Sequence, residues 1–228
     1  MIVGQRKPFE QIIEMIGHYQ KVLNVGCGGC TSICLAGGQK EVGHLNGELR
    51  NHFANNGQAR ELHEFTIERQ CNDTFFFELD QMVADYDAVL SMACGAGVQF
   101  VADRYPNRPV FPLLNTTFVG VDRNVGWYEE NCRTCGDCVL GDTGGVCPVT
   151  RCAKSLFNGP CGGTRAEGTC EVDAQVPCAW YEIHQRLKGQ DRLHLITKVH
   201  PPRDWENQTR RTVIQEPYQA RYQREPAQ

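Results

Sequence analysis

The sequence predicts an α/β protein: a doubly wound parallel sheet of the flavodoxin or Rossmann-like kind, followed by a small metal-stabilised cysteine-rich domain and an extended tail. Three observations carry that expectation. Short apolar runs alternate with helical patterns over the first half of the chain, which is how parallel sheets with crossover helices read. Eight of the thirteen cysteines fall between 132 and 178, among many glycines and prolines. Beyond about 189 the sequence turns polar, with too little apolar content for another core.

Taken in order, Phe9, Ile12, Ile13 and Ile16 recur at helical spacing behind Pro8 and predict an amphipathic helix over 8–19. Lys21 to Gly26 is a short buried-strand pattern that stops at glycine. Residues 39–55 predict a second helix with Leu45, Leu49, His52 and Phe53 on one side and Asn55-Asn56-Gly57 as its stop. Leu62, Phe65 and Ile67 predict a second strand running towards Cys71. Phe77, Leu79, Met82 and Val83 fit a helix, and Asp87 to Met92 is a third strand ending just before Cys94-Gly95. Val98, Phe100, Val101 and Arg104 continue as helix, and Pro109 to Leu114 closes as a fourth strand. The expected strand order is 2-1-3-4. The expected division is 1–125 for the α/β domain, 126–188 for the cysteine-rich domain and 189–228 for a partner-binding tail.

A chain of 228 residues that is 41% hydrophobic and 22% charged can bury a core and is not a disordered protein. Its net charge of −4, without a basic block, gives no electrostatic case for nucleic acid. No run of 18 or more apolar residues occurs, and Met1 to Lys7 lacks the apolar stretch of a signal peptide. A cytoplasmic location without membrane insertion is therefore expected. In a reducing compartment this many thiols read as metal ligands rather than disulfides.

Cys27, Cys30 and Cys34 follow the first strand as CxxCxxxC, with Gly28 and Gly29 between the first two. Doubly wound sheets bind ligands beyond the carboxyl ends of their strands, where the winding reverses, here between the first and third strands. Cys94 follows the third strand and is the expected fourth ligand; Cys71, after the second strand, is the alternative. A close triad of thiols with a remote fourth points to an iron-sulfur cluster, with zinc or buried and redox thiols as the other readings. In the second region Cys132, Cys135, Cys138, Cys147, Cys152, Cys161, Cys170 and Cys178 suffice for two four-thiolate sites, either two clusters or a cluster and a zinc. So turn-rich a stretch lacks a conventional core, and metal binding becomes folding energy. The spacing leaves the pairing of these eight open.

Several strings resemble a known family. Cys132-Arg-Thr-Cys-Gly-Asp-Cys138, Val146-Cys-Pro148, Asn158-Gly-Pro-Cys-Gly-Gly163, Gly168-Thr-Cys-Glu171 and Cys178-Ala-Trp180 are similar to the cysteine-rich C-terminal domain associated with methylenetetrahydrofolate reductase. Val25-Gly-Cys-Gly-Gly-Cys30, Ala36-Gly-Gly-Gln-Lys40, Arg69-Gln-Cys71 and Ser91-Met-Ala-Cys-Gly95 resemble that family's small, MetV-type iron-sulfur subunit. The likeness covers most of residues 5–190, and the Asn158 to Gly163 string is its most specific element. It implies two or three [4Fe-4S] clusters, a flavin held by a MetF-type catalytic partner rather than by this chain, and a ferredoxin or another iron-sulfur protein as electron donor. The chain would then be a non-catalytic subunit that relays electrons for reduction of methylenetetrahydrofolate to methyltetrahydrofolate.

The residues suit that division of labour. One-electron carriers are needed when the donor is itself a cluster protein, whereas a hydride donor reduces flavin directly. No clean dinucleotide fingerprint, HExxH or GxSxG motif is present. Two other classes fit the thiols: a zinc-binding scaffold without redox change, and a cluster enzyme of the heterodisulfide-reductase kind. Arg151 and Lys154 lie amid the cysteines, where their charge would tune a cluster or simply be solvated. His18, His44, His52 and His63 have no ligand spacing and read as surface or helix-face residues. Trp180, Tyr181 and Ile183 read as a dry wall for the last cysteine site, and Tyr218 and Tyr222 as an anchor on a partner subunit.

Overall fold

The computed structural model describes residues 1–202, 212 and 213; Tyr218 and Tyr222 lie outside the described residues. The chain forms two compact units, Met1–Cys132 and a second beginning at Arg133.

The first unit runs β1 (Ile2–Arg6), α1 (Phe9–Ile16), β2 (Lys21–Cys27), α2 (Cys30–Ile33), α3 (Gln39–Asn55), β3 (Glu61–Ile67), α4 (Phe77–Met82), β4 (Ala88–Met92), α5 (Gly95–Arg104), β5 (Val110–Pro112), β6 (Leu114–Asn124) and β7 (Trp127–Cys132). Four of these strands make a parallel sheet in the order β3-β2-β4-β5. Numbered among themselves, that is the expected 2-1-3-4.

The central strands are buried on both faces, and the alternation of the pleat sorts their side chains between two cores. Val22, Leu90 and Met92 join Ile12, Ile16, Leu45, Leu49 and Phe53 from α1 and α3. Leu23, Val25 and Val89 join Phe76, Leu79, Val83 and Val101 from the α4 and α5 side. Helix α3 owes its place to Val42, Leu45, Leu49 and Phe53, all buried on one stripe, and it ends where Gly57 turns at φ +66°.

A three-stranded antiparallel sheet, β1-β6-β7, stands beside the parallel one. It departs from the expectation of a parallel sheet alone. The apolar run 109–114 is divided: Val110–Pro112 pairs with β4, and Leu114 opens a long strand that folds back at Gly126 (φ +78°). That hairpin carries the unit to Cys132.

The second unit has little regular structure: α6 (Pro148–Arg151), α7 (Ala179–Gly189) and a short 3-10 turn over Leu193–Thr197. Its core is Val146, Ala179, Trp180, Ile183 and Leu187, with Cys152 and Cys178 packed against it. No helix among the described residues is long and apolar enough to cross a membrane.

Candidate functional site

The carboxyl ends of β2, β3 and β4 lie side by side, and a cysteine comes from each. Cys27 is the last residue of β2, paired with Ile67 at the end of β3. Cys30 opens α2, and the Gly28 N–H donates to the Ile67 carbonyl (2.9 Å), which folds the Cys27–Cys30 loop over β3. Cys94 sits at the N-terminus of α5, two residues beyond β4, and Cys71 follows the end of β3.

Gln70 fixes the position of Cys71. Its side chain is fully buried; Nε2 donates to the carbonyls of Val25 (2.8 Å) and Gly26 (3.1 Å), and Oε1 accepts from Ser91 Oγ (2.6 Å). One amide therefore ties the segment after β3 to the ends of both β2 and β4. Gly97, in the first turn of α5, leaves room for it, since a Cβ there would stand 2.9 Å from Gln70 Cβ.

Cys71 lies near the other three thiols. Cys71 is exposed, yet the surrounding chain desolvates it enough to push its pKa up, and the neighbouring Cys94, Cys27 and Cys30 push in the same direction. Cys34 is placed elsewhere. It is buried, with Sγ 3.5 Å from the Gly4 amide and 3.7 Å from the Gly4 carbonyl of β1; burial raises its pKa, and the nearby Cys30 adds a smaller push in the same direction. It lines a groove of about 750 Å³ along β1, together with Arg6, His44, Trp127 and Tyr128, and none of the other four thiols reaches that groove. Of the expected set Cys27, Cys30, Cys34 and Cys94, three members act on Cys71, while Cys34 turns its Sγ to the Gly4 backbone of β1.

In the second unit Cys152, Cys161, Cys170 and Cys178 line one small cavity beside Lys154 and Trp180. The indole N–H of Trp180 donates to the Leu156 carbonyl (2.7 Å), holding the ring against the cavity. Ile183 lies in the core below, and Tyr181 is half exposed with its ring against Gly168. Lys154 is ion-paired with Glu171, and that contact, with help from Cys161 and Cys170, keeps its ammonium group charged to higher pH. Arg151 instead pairs with Glu182 of α7 (2.8 Å). Cys138 is exposed, and Cys147 places Sγ 3.5 Å from Thr150 Oγ1. Cys132 ends β7 in the first unit, and Cys135 Sγ lies 3.7 Å from the Asp137 carbonyl.

Two of the histidines are occupied as structural groups: His63 Nδ1 lies 2.7 Å from the Tyr86 hydroxyl, and His52 packs edge-on against Phe9 and Phe53. Among the described residues no three His, Cys, Asp or Glu side chains are gathered tightly enough to hold a metal ion as they stand. The donors nevertheless fit a thiophilic metal. Thiols dominate both groups, with the Glu171 carboxylate accepting from Cys161 Sγ (3.2 Å) in the second, and in each, glycines let the backbone approach the sulfur: a Cβ on Gly29 would stand 3.7 Å from Cys27 Sγ, and the Gly163 N–H points at Cys161 Sγ (3.5 Å).

Fold and donors together define a two-part cysteine-rich α/β protein with two separate thiol groups. Residues 111–206 match the family described as "Methylene-tetrahydrofolate reductase C terminal". No curated protein and no solved structure matches the chain.

Proposed function

We propose that this chain is an iron-sulfur electron-transfer subunit of a methylenetetrahydrofolate reductase complex, with Cys27, Cys30, Cys71 and Cys94 as ligands of a [4Fe-4S] cluster in the first unit. The observation that carries this reading is the convergence of those thiols at the carboxyl ends of three adjacent parallel strands, the position at which open α/β sheets bind their ligands. The family match over 111–206 supplies the folate context.

Such a cluster, when bound, accepts and donates single electrons at a potential set by its ligands, hydrogen bonds and burial. The chain's own residues do the positioning. Gln70 holds Cys71 against the ends of β2 and β4, Gly28 and Gly29 fold the Cys27 loop closely, and Cys94 caps the N-terminus of α5. A flavin on a catalytic partner would receive the electrons, and a ferredoxin or similar protein would supply them. Reduction at carbon belongs to that flavin.

The test is a comparison of Cys71→Ser with Cys34→Ser in chains purified anaerobically with the flavoprotein partner. Iron and acid-labile sulfide are counted, and flavin reduction by reduced ferredoxin is followed. Cys71→Ser is expected to lose about four irons and to slow flavin reduction, while Cys34→Ser keeps its iron. The opposite pattern overturns the ligand set, and unchanged flavin reduction in Cys71→Ser overturns the relay.

A further inference from the structure

The eight cysteines between 132 and 178 cannot be paired from their spacing, but the backbone of the second unit sorts four of them. We infer that Cys152, Cys161, Cys170 and Cys178 form one self-contained four-thiolate metal centre, distinct from the first unit's site. The proposal rests on reading the chain as metal-carrying, and it concerns residues that the electron relay does not use.

Three local structures converge on it. Cys170 and Cys178 occupy the two sides of a short hairpin: the Cys170 N–H donates to Val176 (2.8 Å), the Cys178 N–H donates to Gly168 (2.9 Å), and Thr169 bridges to Pro177. Gly168 makes that hairpin possible. Its φ is +77°, and a Cβ would stand 2.6 Å from the Tyr181 ring. Cys161 is carried on a second tight turn. Gly162 takes φ +83°, and the Gly163 N–H returns to Cys161 Sγ (3.5 Å), the arrangement by which backbone amides stabilise a metal-bound sulfur. Cys152 ends the single turn of α6 and packs on the same small core as Cys178.

The surroundings suit four thiolates. Cys178 caps the N-terminus of α7, where the helix favours negative charge, and its Sγ lies 3.1 Å from Thr164 Oγ1. Lys154 stands near Cys161 and Cys170 and pairs with Glu171, whose carboxylate accepts from Cys161 Sγ (3.2 Å). Trp180, only 6% exposed, closes the apolar side. A core of five buried residues around α7 is small for a unit this rich in turns, so four sulfur–metal bonds would supply folding energy that the apolar residues do not. Loading exchanges four S–H bonds for four S–metal bonds and releases the protons to solvent, with no change of oxidation state. The occupant is a thiophilic metal, either one zinc ion or one preassembled cubane cluster.

The experiment uses the full chain, purified anaerobically. Zinc, iron and sulfide are counted in Cys161→Ser, Cys170→Ser, the double variant and Cys138→Ser. Each single variant is expected to lose the same centre, about one zinc or about four irons with about four sulfides, and the double variant no more than either. Cys138→Ser is expected to retain that centre. In parallel, alkylation of the unaltered chain during chelator titration is read by peptide mass spectrometry, which needs no variant to fold. The four thiols should become reactive together. Doubled metal loss in the double variant, no metal loss at all, or reactivity of the four at separate chelator concentrations would overturn the proposal. Failure of the relay reading would show instead in Cys71→Ser, so the two can fail independently.

Discussion

Gln70 is the residue whose removal most directly tests how the first site is built. Its amide makes three hydrogen bonds inside the sheet, two to carbonyls of β2 and one from Ser91 of β4, with no exposure to water. Each such bond contributes roughly 0.5–1.5 kcal/mol net, and a buried partner left unpaired costs more. Gln70→Met keeps the volume and deletes the bonds, so it is expected to cost about 2–3 kcal/mol. Gln70→Ala adds the loss of packing and is expected to cost about 3–4 kcal/mol. At roughly 3–5 °C per kcal/mol for a unit of this size, the alanine variant should melt about 10–15 °C lower. Circular dichroism melts of the full chain, with iron content measured below the transition, separate the two consequences: lost stability, and a Cys71 no longer held to its neighbours. A Gln70→Met variant within about 0.5 kcal/mol of the parent, with its iron intact, would refute the reasoning.

Three further outcomes follow from backbone and charge. Gly47 lies inside α3 with nothing within 4 Å of where a Cβ would be, so Gly47→Ala should raise the urea midpoint by the equivalent of about 0.5–1 kcal/mol; Gly37→Ala, whose Cβ would overlap the Met92 carbonyl, should abolish the cooperative transition of the first unit. Asp80 accepts hydrogen bonds from Arg104 (2.6 Å) and Tyr105 (2.8 Å), and the Arg104 bonds hold its carboxyl below the ordinary 3.8. Because the folded pKa is depressed, its stabilising effect is complete above the unfolded value and fades as pH falls through the lower folded one. Urea midpoints of the parent and Asp80→Asn should therefore differ at pH 6 and converge towards pH 2, and a constant difference would exclude the carboxylate as the cause.

Much of the first unit was legible because its signals are local. Helices at 9–16 and 39–55 announce themselves by apolar spacing, and the strands at 21–27, 61–67 and 88–92 by short buried runs between turns. The antiparallel sheet gives no such local signal. Ile2 to Arg6 is short and ends in polar residues, and Asn115 to Asn124 faces solvent over most of its length, so neither gives an apolar run. Without β1 there is no backbone for Cys34 to meet, and CxxCxxxC looks like three ligands for one site. With β1 in place, the one-turn helix α2 delivers Cys34 to Gly4, and Leu35, at φ +55°, turns the chain back towards α3. Gln70 also left no sequence signal of its own. A lone glutamine beside a cysteine is unremarkable until the ends of two other strands are known to lie under it.

The same contrast explains the second unit. Eight cysteines in a run of turns allow many groupings, and spacing cannot choose among them, because loops of eight or so residues close with similar entropy whichever pair they join. What distinguishes Cys152, Cys161, Cys170 and Cys178 is that the fold brings them to the lining of one cavity. Gly162 and Gly168 take left-handed φ values that a side chain would strain, and each sits within two residues of one of the four thiols that share the Trp180 cavity. Left-handed glycines also stand beside Cys135, Cys138 and Cys147, so the shared cavity, and not the glycines alone, groups the four. If that reasoning holds, Gly168→Ala should abolish the second unit's metal centre as completely as Cys170→Ser, because it opens the hairpin that presents Cys170 and Cys178 together, while the first unit's iron is untouched. Retention of that centre in Gly168→Ala would mean that the hairpin does not organise the site.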